Sequence, residues 1–412
     1  MTGLADPVME PSRDLRRARR NLVVLLLAQA VMGAQMSMIF IVGGLTGQML
    51  SPNPCIATLP LSMIVLGSAI SARPLAGFMQ RHGRRAGFTL ACGCGGLGAG
   101  LAATGMILGN FWLFLASGLL TGVYQAGQGF YRFAATDCAP PEFQSRAISL
   151  VLAGGLVAAF TGPFLVRLTA EMTAIPFLAT YAAIIGLNLL GPLIFSFLDI
   201  PRATAGAAGQ MQGRTLGQLI RVPQIAVAMV CGMVSYALMN LVMTSTPLAV
   251  VGCGFHTADA ANIVALHVVA MFGPSFFTGH LIARFGAQRI VMLGLVILAS
   301  AGAIALSGVE LGNFYLALVL LGLGWNFGFI GSTAMLTRAY RAEERERVQG
   351  LNDAVVFAGV FVASLSSGGL MNCLGGTPQA GWNAVNLAML PFLVLAGAAL
   401  LWLMLRPVER AR

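Results

Sequence analysis

Apolar positions in this chain come in long unbroken blocks, and polar residues collect in short segments between them. Blocks of about 20 residues, the length that spans a bilayer, run near 21–47, 56–79, 87–108, 111–136, 147–169 and 174–198. After a polar segment they resume near 223–250, 260–282, 289–308, 312–337, 350–372 and 381–405. The blocks lack the residue-by-residue alternation of membrane β-barrel strands. The pattern predicts an all-α membrane protein with twelve transmembrane helices.

Charge placement checks the helix count independently. All 24 basic residues are arginine. With the N-terminus in the cytoplasm and twelve crossings, 23 of the 24 arginines fall on the cytoplasmic side and only Arg167 falls outside. Cytoplasmic loops carry the excess of basic residues in such proteins, and an odd number of spans would scramble the pattern. The expected organisation is a cytoplasmic tail at 1–20, a six-helix bundle at 21–198, a cytoplasmic linker at 199–222, a second bundle at 223–405 and a cytoplasmic tail at 406–412. Both termini are thereby expected in the cytoplasm, in a bacterial inner membrane. The lack of lysine and the 51 glycines suggest a GC-rich bacterial genome.

Composition removes several function classes. Only 9% of residues are charged and 57% are apolar, against about 25% charged in a soluble domain. The net charge of +10 is scattered between apolar blocks and builds no nucleic-acid groove. The arginines at 16, 17, 19 and 20 precede an apolar run too long for a signal peptide. Cys92 and Cys94 stand without a nearby histidine or third cysteine, which favours packing over a metal site, so no metal or cofactor is expected. Four histidines, at 82, 256, 267 and 280, are scattered, and paired mid-span acids and Ser/His/Asp sets are missing, so no enzyme is expected.

The two halves carry related loops. Gly83, in Gln80-Arg81-His82-Gly83-Arg84-Arg85, aligns with Gly286, and Arg81 with Arg284. Pro141–Arg146 likewise matches Ala342–Arg347. Loops repeated at nearly one offset point to two copies of a six-helix unit, a pseudo-symmetric pair of bundles. The first loop resembles the signature G-x-L-A-D-R-x-G-R-R of the major facilitator superfamily, with Arg81, Gly83, Arg84 and Arg85 fitting and Phe78 in place of leucine. Ala76 replaces the first glycine and Gln80 the aspartate, as Ala283 does in the second copy. The resemblance implies two rocking bundles. A cytoplasmic gate is expected, in which arginines pair with Asp137 and Glu142 in the first half and with Glu343, Glu344 and Glu346 in the second; simple topology charge is the competing reading. Val123 stands where drug/proton antiporters of the superfamily carry an arginine, which argues against that activity.

In that superfamily the first, fourth, seventh and tenth helices line the cavity. Polar and aromatic residues concentrate in those four blocks here. Tyr124, Gln128 and Arg132 share a helical face, as do Tyr236, Asn240 and Thr244, and Trp325, Phe329 and Thr333. Amides are costly against lipid, so these faces should point inward, to solute or to one another. Gln35, Tyr124, Gln128, Tyr236, Asn240, Thr244, Trp325, Asn326 and Phe329 are the candidate solute contacts. His267, alone in mid-span, is either a bonded packing residue or a proton-linked group. No carboxylate sits at the centre of a span, which favours a neutral or weakly anionic solute, and the aromatic residues suit a planar ring.

These features predict a monomeric secondary transporter of a small solute, embedded in lipid and without nucleic-acid partners. The stretches Tyr131–Ala135 and Pro274–Gly279 resemble a bacterial branch of the superfamily that includes riboflavin transporters, which implies vitamin uptake. Efflux of a metabolite or drug is the alternative.

Overall fold

The computed structural model describes residues 11–137, 144–200, 214–341, 344–374 and 376–406. It is almost wholly helical. The first half comprises α1 (Pro11–Met32) and α2 (Ala34–Leu50) as one broken pass, then α3 (Leu59–His82) and α4 (Arg84–Ile107). A second broken pass, α5 (Phe111–Gly129) with α6 (Tyr131–Asp137), leads to α7 (Gln144–Thr169) and α8 (Leu178–Ser196). A short α9 (Leu216–Ile220) precedes the second half. There α10 (Pro223–Gly252) is followed by the bent pair α11 (Thr257–Phe272) and α12 (Ser275–Phe285), then α13 (Ala287–Leu306). The tenth pass is α14 (Leu311–Trp325), a π turn (Asn326–Ile330) and α15 (Gly331–Thr337). The last two are α16 (Arg345–Cys373) and the pair α17 (Pro378–Leu387) and α18 (Met389–Leu405).

Among the described residues, nine helices are long and apolar enough to cross a membrane, and the bent pair α11–α12 makes a tenth crossing. The helices α5 and α7, of 19 and 26 residues, are long enough to fit the remaining two positions of the expected twelve. The polar residues Tyr124, Gln125 and Gln128 dilute the apolar character of α5.

Two helix ends lie away from the limits of the apolar blocks. Helix α1 begins at Pro11, inside the segment expected to be a tail. Arginine is a good helix former, so the helix continues past the apolar block. The sixth pass, α8, starts at Leu178 rather than near 174, because Phe177 takes a left-handed conformation with φ of 66° and breaks the chain direction. The linker contains α9, started by a capping box between Thr215 and Gln218.

The repeat is visible in the backbone. Gly83 joins α3 to α4 with φ 92° and ψ 160°, and Gly286 joins α12 to α13 with φ 88° and ψ 148°. Only glycine takes this geometry without strain, so the aligned glycines make the same turn in each half. Glycine clusters elsewhere serve packing on one helix face. A Cβ on Gly98 would lie 2.8 Å from the Thr121 hydroxyl, and one on Gly322 2.6 Å from the His267 carbonyl. Gly93 and Gly100, of the same cluster as Gly98, face open space.

Candidate functional site

In the first half the expected solute contacts are drawn into the packing. Gly33 interrupts the first pass and leaves it as α1 and α2. The Tyr124 hydroxyl donates to the Met32 carbonyl beside that break, at 2.7 Å, and the Tyr124 side chain is fully buried. Gln35 accepts from Asn188 Nδ2 at 2.6 Å, joining α2 to α8, while its own Nε2 is buried without a partner. Gln128 is half-buried and its amide nitrogen lies beside Gly33. Tyr124 is thus a structural bolt, whereas Gln128 and the Gln35 amide group keep donors to offer.

The second half holds an aromatic wall. Trp325 and Phe329 stack with ring centroids 5.3 Å apart. Tyr236 of α10 meets both edge-on, at 5.7 and 5.2 Å, and Phe272 of α11 meets Trp325 at 6.0 Å. Tyr236 and Phe329 remain half-buried and also pack beside Val65, Val356 and Val360, so the wall touches residues of both halves.

Unpartnered polar atoms lie on the helices that carry this wall. Trp325 Nε1, Asn240 Oδ1, Thr244 Oγ1 and Ser235 Oγ are buried without hydrogen-bond partners. A buried polar group without a partner costs on the order of 1–3 kcal/mol, so each of these atoms has a hydrogen bond to gain. Asn326 differs. Its Nδ2 donates to the Met271 carbonyl at 2.6 Å and to Ser275 at 2.8 Å, and its Oδ1 accepts from Thr278 at 2.6 Å. It ties the π turn to the bend between α11 and α12 and has no donor left for a solute. His267 is fully buried, with Nδ1 2.8 Å from the Leu318 carbonyl and Nε2 unpartnered.

The arginine-rich loops pair within halves. Arg84 Nε donates to Asp137 at 2.8 Å, joining α4 to α6, and its guanidinium lies over Phe130. Arg81 and Arg85 are exposed. Arg284 lies over the neighbouring Phe285 ring. Glu142 and Glu343 lie outside the described residues. Glu344 is buried and bound by Arg214, through Nε and Nη2 at 2.7 Å each. The second-half acid is therefore held by the linker, a partner the sequence spacing gave no reason to choose. Asp199 is similarly held by Arg17 and Arg20 of α1.

Polar bonds between the halves occur at the opposite end. Ser62 donates to Ser364 at 3.0 Å, Arg167 to Asn262 at 2.8 Å, and Asn372 to the Pro54 carbonyl at 2.7 Å. Cys55 and Cys373 are joined by a disulfide. Sequence reading missed this pair, and also Ser235, Phe272 and Asn188. Among the described residues, no cluster of three metal-ligating side chains occurs.

A profile described as Major Facilitator Superfamily matches residues 228–412. The chain is 42% identical over 388 residues to the riboflavin transporter RfnT of Brucella anthropi, covering 93% of this chain and 95% of that protein. The chain belongs to the major facilitator superfamily. Another member, the uncharacterized MFS-type transporter YddS of Bacillus subtilis, is 29% identical over 84% of this chain and 83% of its own length. The crystal structure of the nucleoside transporter NupG shares the superfamily fold with a TM-score of 0.70 at 13% identity, covering 95% of this chain and 99% of that one. The chain is a multi-pass superfamily transporter of a small solute.

Proposed function

We propose that this transporter takes up riboflavin, or a closely related planar heterocycle, from outside the cell. The observation that carries the reading is the stacked Trp325–Phe329 pair flanked by Tyr236, with Trp325 Nε1 and Asn240 Oδ1 lacking partners. A flavin is a wide aromatic plane whose imide edge carries both carbonyl acceptors and an N–H donor. The rings supply stacking, Trp325 Nε1 donates to a carbonyl, and Asn240 Oδ1 accepts from the imide N–H. The name of the 42% identical relative supports the same solute class.

Transport proceeds by alternating access. The bundles at 21–198 and 223–405 rock about the site, with 199–222 as the linker, both termini in the cytoplasm and the membrane a bacterial inner membrane. The arginine placement supports this orientation, and so does the disulfide, which lies at the arginine-poor end where an oxidising compartment would allow it. The bonds that join the halves at this end support a state closed on that side.

Growth of a riboflavin-auxotrophic bacterium on low external riboflavin tests the function. Expression of the chain should restore growth. If it restores none and instead raises tolerance to added flavin analogues, uptake is the wrong direction.

A further inference from the structure

We propose that Cys55 and Cys373 form a redox-controlled lock on the outer gate: the disulfide holds the transporter closed to the outside, and reduction by a dithiol releases it. Cys55 lies in the 3-10 turn Pro54–Ile56 between α2 and α3, and Cys373 is the last residue of α16. The bond thus links the two halves across 318 residues of chain.

The lock requires that Cys55 move with the first half and Cys373 with the second. Only Ala57 and Thr58 separate the turn from α3. The Ala57 carbonyl presses on Gly47 of α2 where no Cβ would fit, so the turn is seated on its own half. Cys373 belongs to α16, whose Ser367 accepts a bond from Ser245 of α10. Between the halves, Gly368 lies under Thr58 with no space for a side chain, and a Cβ there would be 3.0 Å from the Cys55 carbonyl. The Cα atoms of the pair are 5.6 Å apart. A disulfide tolerates at most about 7 Å, which leaves about 1 Å of travel. Opening the outer end for a solute must part these helix ends by more than that.

The chemistry is reversible. Cys373 is exposed and Cys55 half-buried, so the bond can be reached from the arginine-poor side. A thiolate of an external dithiol attacks one sulfur and forms a mixed disulfide, and the other cysteine leaves as a thiolate and takes a proton. The second thiol of the reductant then displaces the remaining cysteine and closes its own disulfide. Two electrons and two protons pass to the cysteines, and the reverse exchange with an oxidised partner restores the lock.

The test needs no knowledge of the solute. Full-length protein from intact cells, denatured without reductant and alkylated, should leave Cys55 and Cys373 unmodified among its seven cysteines. Hydrogen–deuterium exchange is then followed in lipid nanodiscs over residues 54–66 and 241–250. Reduction with a phosphine should speed exchange there roughly tenfold, by populating the outward-open state. The double variant Cys55→Ser, Cys373→Ser should exchange at that faster rate with or without reductant. Free alkylation of both cysteines in protein from intact cells would overturn the proposal. So would equal exchange in oxidised wild type and the double variant.

Discussion

Trp325 and Phe329 stack with their planes 14° apart, although a π turn begins directly after Trp325. The turn has a consequence for their neighbours. Asn326 points to α12 and the bend before it, while both rings stay against Tyr236 of α10. π turns inside α-helices occur often at functional sites, and this one turns Asn326 toward the bend while the two rings stay on the other side.

The two roles of Trp325 can be taken apart. Trp325→Phe keeps a ring for stacking and removes the N–H, whereas Trp325→Ala removes both. An aromatic pair contributes about 0.5–1.5 kcal/mol and a neutral hydrogen bond about 1 kcal/mol. Riboflavin affinity, read by quenching of flavin fluorescence, should fall several-fold in Trp325→Phe and further in Trp325→Ala.

Asn326→Ala and Tyr124→Phe should act on stability and leave affinity alone. The first strands the Met271 carbonyl and leaves the Thr278 hydroxyl only its bond to the Pro274 carbonyl, and the second strands the Met32 carbonyl. Each loss is worth about 1–3 kcal/mol for groups buried away from water. Thermal melts in detergent should shift down for both variants, more for Asn326→Ala, with the riboflavin Kd unchanged. A weakened Kd at full stability would return either residue to the solute site.

Much of this arrangement was legible in the sequence. The twelve blocks, the repeat and the turn at Gly83 and Gly286 follow from lipid as solvent and from the steric freedom of glycine. The helical faces of Asn240 and Trp325 were legible for the same reason, since spacing places residues on a face. Spacing does not say what that face meets. Tyr124 shares a face with Gln128, yet the break at Gly33 exposes a carbonyl that captures its hydroxyl. Asn326 neighbours Trp325 in sequence, and only the bend at Gly273 and Pro274 explains its partners. The pairing of Cys55 with Cys373 could not be read from seven cysteines, because connectivity depends on how the halves meet.

The Glu344 carboxyl is held well below its usual value of 4.5, first by the Arg214 side chain and then by the Arg341 backbone N–H. A carboxyl whose pKa is depressed in the folded state contributes its full stabilisation above about pH 4.5, and loses it as pH falls through the folded value. Glu344→Gln should therefore lower the melting temperature by a few degrees at pH 7. The gap to wild type should narrow only below pH 4.5. Melts over a pH series check this, and a gap that closed between pH 6 and 5 would point to another group.

The Arg84–Asp137 pair lies within the first half, with its side chains 23% and 37% exposed. An exposed pair of this kind contributes about 1 kcal/mol or less. Arg84→Ala should leave the melting temperature nearly unchanged and slow uptake several-fold, by loosening the α4–α6 corner. Uptake at the wild-type rate in well-folded protein would reduce the loop to topology charge.

A flavin-sized ring bound at the aromatic wall is the central proposal. Isothermal titration of riboflavin into purified wild type, Asn240→Ala and Trp325→Ala tests it most directly. Saturable one-to-one binding in wild type is expected, weakened at least about tenfold, or 1.4 kcal/mol, in each variant. Binding of equal strength in all three proteins, or none in folded wild type, contradicts it.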